Sequence, residues 1–249
     1  MRADPPPRGI CFDYGETLVR IRRPVAEIAG AGAEVGRTLR LGGPPWLGRE
    51  GELTLALDQA LDEMIDARHA GQPLREVDIE PIQRAALSQL LGADPGPAVA
   101  RAVGVTVQRA WVAGVRPRPR VKTMLGRLRQ LGLRLGLCSN APYPPALMHE
   151  QLQRLGLASY FDAALFSSEV GWRKPARRIF DELLGRMRLR PEQVWFVGDD
   201  LECDMRGAAA AGIHVLLAPG APAAAGVAER LPSWEALVRQ AEGAVPGRR

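Results

Sequence analysis

Four short clusters in this 249-residue chain carry groups that could transfer a phosphoryl group with the help of a hard cation. They are Asp13-Tyr14-Gly15-Glu16-Thr17-Leu18, Ser139-Asn140, Lys174-Pro175, and Gly198-Asp199-Asp200-Leu201-Glu202-Cys203-Asp204. Brought together, they supply a carboxylate, a hydroxyl, an ammonium and a knot of further acids. Closely spaced acids are costly unless a cation neutralises them, so the set points to a hard metal bound by oxygens. Mg²⁺ fits, because it takes one or two carboxylates and fills its other positions with substrate phosphate and water. A carboxylate can then attack phosphorus and form an aspartyl-phosphate, while metal and lysine offset charge on the transferring group.

The lysine is informative through its rarity. Lys122 and Lys174 are the only lysines in a chain with 33 basic residues. Where a mere positive charge is wanted, this sequence uses arginine. A lysine therefore marks a place for a compact ammonium, which differs from a guanidinium in shape and reach.

The elements around these clusters explain how they meet. Gly9-Ile10-Cys11-Phe12 reads as a short strand ending at Asp13. From about residue 24 to 115 the pattern is helical, with candidate helices near 24–40, 51–69, 78–91 and 98–112, separated by Gly/Pro-rich breaks. From residue 119 strands and helices alternate. Val121, Met124, Leu125, Leu128 and Leu131 lie at helical spacing, closed by Gly132. The strand Leu133 to Cys138 follows, then a helix at about 145–155, the strand Ala163 to Phe166, and a helix with Pro175 in its first turn. Val194 to Val197 is a wholly apolar strand, as a strand covered on both faces should be. A helix at about 204–211 and the strand Ile213 to Leu217 complete the alternation. The expected fold is α/β: a parallel sheet with helices on both faces, carrying an inserted α-helical cap. Ligands bind at the carboxyl ends of such strands.

Each cluster taken alone has an ordinary explanation as a turn, a helix start or a solvated charge. Their order decides the matter: all four sit at successive strand ends of one sheet.

Composition bounds the rest. Hydrophobic residues are 46% and charged residues 24% of the chain, an ordinary globular balance. No apolar run approaches a membrane span, and the opening Met1-Arg2-Ala3-Asp4-Pro5-Pro6-Pro7 lacks the apolar core of a signal peptide. Three cysteines fit a reducing compartment, so the expected location is cytoplasmic. The net charge of +5 arises from scattered arginines with no basic run interleaved with aromatics, so neither nucleic acid nor membrane is an expected partner. A monomer or homodimer is expected.

The ordered motifs resemble those of the haloacid dehalogenase-like hydrolases, with a Rossmann-like core and a helical (C1-type) cap between the first two motifs. Asp13-Tyr14-Gly15-Glu16-Thr17-Leu18 looks like motif one, Ser139 motif two, Lys174 motif three, and Asp199 with Asp204 motif four. The resemblance implies a core of residues 1–20 and 116–249 with a cap of 21–115. It implies a Mg²⁺-dependent phosphohydrolase acting on a small phosphorylated metabolite. Asp13 would be the nucleophile, with Lys174 and Thr17 as further catalytic residues. Asp13, the Gly15 carbonyl, Asp199 and Asp204 would form the metal site. Ser139, the backbone at Asn140 and Lys174 would hold the phosphoryl oxygens.

One position departs from the family. Its phosphatases carry a second aspartate two residues after the nucleophile, where this chain has Gly15. A missing general acid/base costs on the order of 10²–10⁴-fold in rate. Three readings follow. Glu16 or His149 substitutes for it, or the substrate has a good leaving group such as an acyl phosphate, or the protein is a catalytically weak phospho-ligand-binding protein. A metal-independent 2-haloacid dehalogenase fits less well, because those enzymes place a tyrosine two residues after the nucleophile, and Tyr14 is one residue after.

Further expectations concern the periphery. Arg20, Arg22 and Arg23 form a solvated hinge, and Trp46 belongs to a cap loop that packs or faces substrate. Trp195 and His214 are core residues, and the cysteines are small apolar fillers. A terminal helix starts after Ser233 as N-cap, and the chain is disordered from about Gly243.

Overall fold

The computed structural model describes residues 6–222 and 229–245. Its first strand, β1 (Gly9–Phe12), is buried at every position. A short β2 (Val19–Ile21) leads into five helices: α1 (Val25–Gly30), α2 (Gly32–Leu39), α3 (Glu50–Gly71), α4 (Ile79–Leu91) and α5 (Pro97–Trp111). β3 (Val115–Pro117) returns the chain to the core. There α6 (Val121–Gln130), β4 (Arg134–Ser139), α7 (Pro145–Arg154), β5 (Ala163–Phe166), α8 (Ser167–Val170) and α9 (Arg177–Met187) follow. The chain continues through β6 (Val194–Gly198), α10 (Gly207–Ala210), β7 (His214–Leu217), β8 (Glu229–Arg230) and α11 (Trp234–Ala244).

Six strands form one parallel sheet in the order β5-β4-β1-β6-β7-β8. Non-consecutive neighbours require helical crossovers, which cover both faces. Ile10, Phe12, Leu135 and Leu137 face one buried cluster with Val121, Leu125 and Leu128 of α6 and Trp234 and Leu237 of α11. Cys11, Cys138, Leu165 and Phe196 face the other, against Ile179, Phe180 and Leu183 of α9. Phe12 is in register with Leu137 on one side and Val197 on the other. Asp13, one residue beyond Phe12, and Ser139 and Asp199, two residues beyond its partners, therefore stand at the same edge of the sheet.

The helices between β2 and β3 have a buried cluster of their own, including Val35, Leu53, Leu57, Leu61, Ile82, Leu87, Val103 and Val107. Each fully buried side chain of this size contributes about 1.5–3 kcal/mol over an exposed one, so the insert carries a core of real weight. β2 and β3 pair antiparallel as a strap at its base. Among the described residues no helix is long and apolar enough to cross a membrane.

Several expectations are corrected. The helix expected over 24–40 is two helices, because Gly32 lies against the start of α3, where a Cβ would stand 2.5 Å from the Gly51 nitrogen. Pro175 precedes α9 instead of opening it; the helix begins at Arg177 after Ala176. The helix near 204–211 is a wide π-type turn over Leu201–Arg206 followed by α10. The Asp200 side chain caps that turn by accepting the Cys203 amide at 2.6 Å. His214 is exposed at the amino-terminal end of β7, its ring 5.6 Å from half-buried Trp195, so it is not a core residue. α11 continues to Ala244, past the expected onset of disorder at Gly243, and Ser233 caps it as expected by accepting the Ala236 amide. Residues 246–249, and 223–228 of the loop expected over 219–227, lie outside the described residues.

Candidate active site

Asp13 leaves β1 with its amide still tied to the neighbouring strand, donating to the Val197 carbonyl at 2.9 Å. Its side chain is buried and meets the Lys174 ammonium, which donates to Asp13 Oδ1 and Asp204 Oδ1 at 2.6 Å each. The second Asp204 oxygen accepts the backbone amides of Asp199 and Asp200, both at 3.1 Å. Gly198 is required for this approach: a Cβ there would stand 2.3 Å from Asp204 Oδ2. Burial pushes the Asp204 carboxyl up to about 6, and pushes Asp13 upward too, with Lys174 pulling the other way in both. Burial alone would depress the Lys174 ammonium, but Asp13 and Asp204 reverse this and hold it well above its ordinary value.

The remaining groups hold these in place. Thr17, fully buried, donates its hydroxyl to Asp199 Oδ1 at 2.7 Å, so it orients Asp199. Burial raises the Asp199 carboxyl, and the Thr17 bond opposes the rise. The Asn140 side chain clamps the Lys174 backbone, accepting its amide at 2.7 Å and donating to its carbonyl at 3.0 Å. Carboxylate oxygens of Asp13, Asp199 and Asp204 lie within 4.8 Å of one another. Three carboxylates facing one ammonium leave an excess of negative charge in a buried place, and their oxygens are the donors a hard divalent cation takes. The residues present fit Mg²⁺.

A cavity of about 250 Å³ opens beside this cluster. Gly15, Ser139 and Asn140 line its core side, Asp62, Gln108 and Trp111 its insert side. Neither Glu16 nor His149 is among its lining residues. Glu16 turns back to accept the Ile21 amide at 2.9 Å. His149 lies 3.4 Å from Glu169 and edge-on to Phe166. The expected proton carriers are thus directed elsewhere. Arg23 is also no free hinge residue, because it binds Asp58 at 2.7 Å. Trp46 packs within the insert, donating to the Leu90 carbonyl at 2.8 Å.

Two contributions escape the motif reading. Ser167, at the end of β5, accepts the Ala141 amide at 2.7 Å and donates to Glu76 of the insert. The strand-end rule reaches Ser167 when applied to β5. Asp58, Asp62 and Asp66 recur every four residues along α3, a spacing visible in the sequence but shared with any solvated helix face.

A profile of the haloacid dehalogenase-like hydrolases matches residues 7–212. The chain belongs to that family. The chain is 35% identical over 127 residues to the glyceraldehyde 3-phosphate phosphatase of Methanopyrus kandleri, covering 51% of this chain and 54% of that protein. It is 34% identical over 123 residues to the ribulose-1,5-bisphosphate 5-phosphatase of Halopiger xanaduensis, 49% of this chain and 51% of that one. Against the phosphoserine phosphatase of Thermus thermophilus the identity is 38% over 98 residues, 39% of each chain. The chain thus spans about half or less of the length of the curated relatives it matches. Among solved structures, it resembles a phosphatase of the family from Thermococcus onnurineus, with TM-score 0.62 and 17% identity over 96% of this chain and 99% of that one. A 2-haloacid dehalogenase from Pseudomonas syringae gives TM-score 0.66 and 22% identity over 94% and 99%. These structures share the fold, which serves both chemistries, so the reaction must be argued from the site.

Proposed function

We propose that this hydrolase is a Mg²⁺-dependent phosphohydrolase of a small phosphorylated metabolite, working through an aspartyl-phosphate on Asp13. The observation that carries the reading is the placement of Lys174 between Asp13 and Asp204, with Asp199 in the same oxygen cluster. An ammonium buried at that point stabilises charge on a transferring phosphoryl group while leaving Asp13 Oδ2 available to attack. We take residues 1–20 and 116–249 as the catalytic core and 21–115 as the cap.

Asp13, Asp199 and the Gly15 carbonyl would hold Mg²⁺. Asp204 serves as their outer support, because both its oxygens already accept hydrogen bonds. When bound, the ion supplies Lewis-acid neutralisation of the phosphoryl oxygens. The Ser139 hydroxyl and the Asn140 backbone hold the other oxygens, while Lys174 bridges nucleophile and phosphate. Asp13 Oδ2 attacks phosphorus, the bond to the leaving oxygen breaks, and that oxygen takes a proton from water. Water then attacks the aspartyl-phosphate, releasing phosphate and restoring the Asp13 carboxylate.

Gly15 supports a second reading, in which the chain binds phosphate esters and turns them over weakly. A dehalogenase reading is weakened because the Tyr14 hydroxyl is already engaged, donating to Gln151 Oε1 at 2.7 Å. A screen of phosphorylated metabolites with and without Mg²⁺, comparing the parent with Asp13→Asn, tests the proposal. Mg²⁺-dependent turnover lost in the variant is expected. Turnover retained by Asp13→Asn would overturn the mechanism, and binding without turnover would establish the second reading.

A further inference from the structure

The cavity beside the cluster has a definite chemical character. Its walls include Tyr14, Ile21, Trp111, Val115, Tyr143 and Met148, which offer an apolar, largely aromatic body. Among the described residues no lysine or arginine lines it. The nearby Arg23 is committed to Asp58 and to the Leu55 carbonyl. Lys174 is engaged with Asp13 and Asp204. The charged side chain in the lining is Asp62 of α3, an exposed carboxylate with no hydrogen bond or ion pair among the described residues.

A second polar group points to the same kind of ligand. Gln108 is 8% exposed and lines the cavity, yet its amide has a single weak contact, 4.0 Å from Nε2 to the Met148 sulfur. Its carbonyl oxygen accepts no hydrogen bond among the described residues, which leaves it able to take one from a ligand in the cavity. Asp62 and the Gln108 oxygen both accept. The Tyr143 hydroxyl lies within the field of Asp62 and Asp58, which, after burial, raise it further above its ordinary value. A second phosphate or a carboxylate placed here would meet acceptors and negative charge without a basic side chain to answer it.

We propose that this cavity binds the alcohol portion of the substrate and selects a phosphate monoester whose remainder is apolar and carries an ammonium group, received by Asp62 and the Gln108 carbonyl. The aromatic walls favour the same charge, because a cation is attracted to the face of an aromatic ring. The inference rests on the phosphohydrolase reading only for the word substrate; as a statement about ligand binding it stands apart from turnover.

The test is calorimetric titration of the Asp13→Asn protein with three esters of matched length: aminopentyl phosphate, pentyl phosphate and carboxypentyl phosphate. The amine is expected to bind about tenfold or more tightly than the carboxylate, a difference of roughly 1.4 kcal/mol. Introducing Asp62→Asn should bring that ratio toward unity while the melting temperature stays with the parent. A carboxylate ester that binds as well as the amine overturns the inference, as does a ratio that Asp62→Asn leaves unchanged. An equal loss on all three esters also overturns it, since that marks a proton-transfer or structural role for Asp62. The kcat/KM ratio of the same esters with the otherwise unchanged protein gives a second reading of the preference. Selective binding with no turnover would sink the phosphohydrolase reading and leave the inference standing.

Discussion

Glu76, carried by the helical insert, accepts the hydroxyl of Ser167 on the core, and the Ser167 oxygen in turn accepts the Ala141 amide at 2.7 Å. The other Glu76 oxygen meets His69 Nε2 and the Val77 amide, at 2.8 and 2.9 Å. The Glu76 side chain is almost wholly buried. Insert and phosphate-holding loop are thereby joined through one hydroxyl. Glu76→Ala should cost about 1–3 kcal/mol, the usual penalty for orphaning buried partners, as measured by urea denaturation. It should also weaken inorganic phosphate binding by loosening the Asn140–Ala141 loop. A stability equal to the parent would refute the latch.

Gly15 can be tested by repair. An added Cβ would meet one close atom, Ile21 Cδ1 at 3.3 Å, the movable end of a flexible side chain. Gly15→Asp should therefore fold, and should raise kcat on esters with poor leaving groups by up to about 10²-fold, within the usual range for a general acid. Unchanged kcat in a folded variant would mean that protonation of the leaving group is supplied by something other than a residue at position 15.

Cation affinity should fall in mild acid. The metal needs ionised carboxylates: burial raises its proposed ligands Asp13 and Asp199, and pushes Asp204, the acid that supports them, up to about 6. Protons therefore begin to compete near pH 6 instead of near the ordinary carboxylate value. The rise in melting temperature caused by Mg²⁺ should be full well above about 6 and largely lost well below it. A Mg²⁺ shift that persists undiminished in acid would contradict this.

Removing the ammonium should harm both fold and chemistry. Lys174→Met leaves two buried carboxylates facing each other, and stripping one partner from a buried ion pair costs about 3–5 kcal/mol. The loss should be smaller when Mg²⁺ is present, because the cation supplies part of the missing charge. Differential scanning calorimetry with and without Mg²⁺ measures both effects.

The thiols should be sluggish. Burial pushes Cys138 up to about 12 and Cys203 to about 11, and raises Cys11 well above its ordinary value. At about pH 8 a native sample treated with iodoacetamide should show little modification at Cys203 and none at Cys11 or Cys138, by mass spectrometry. All three should react once the chain is unfolded.

Much of this site can be read in the chain because its parts sit at ends of apolar runs. Gly9–Phe12 followed by Asp13, and Val194–Val197 followed by Gly198 and Asp199, announce strand and site together. Lys174 stands out through the scarcity of its residue type. What does not show is how the parts are held. The Asn140 clamp on Lys174 joins side chain to backbone across 34 positions, and no local pattern records such a bond. Thr17 reads as one more polar residue of its motif until Asp199 is placed beside it. Glu16 is a candidate proton carrier by its place in the first motif and His149 by its place after the second strand, but Glu16 accepts the Ile21 amide and His149 lies beside Glu169. β2 and β3, at three residues each, are too short to display alternation.

The scarcity of lysine has a practical side. Of the two, Lys122 is exposed at the start of α6, whereas Lys174 is 3% exposed and already bonded on two sides. Amine-directed coupling to a bead, a dye or a sensor surface thus finds one side-chain anchor among the described residues. Every molecule attached through it would present the same orientation, with its buried ammonium untouched.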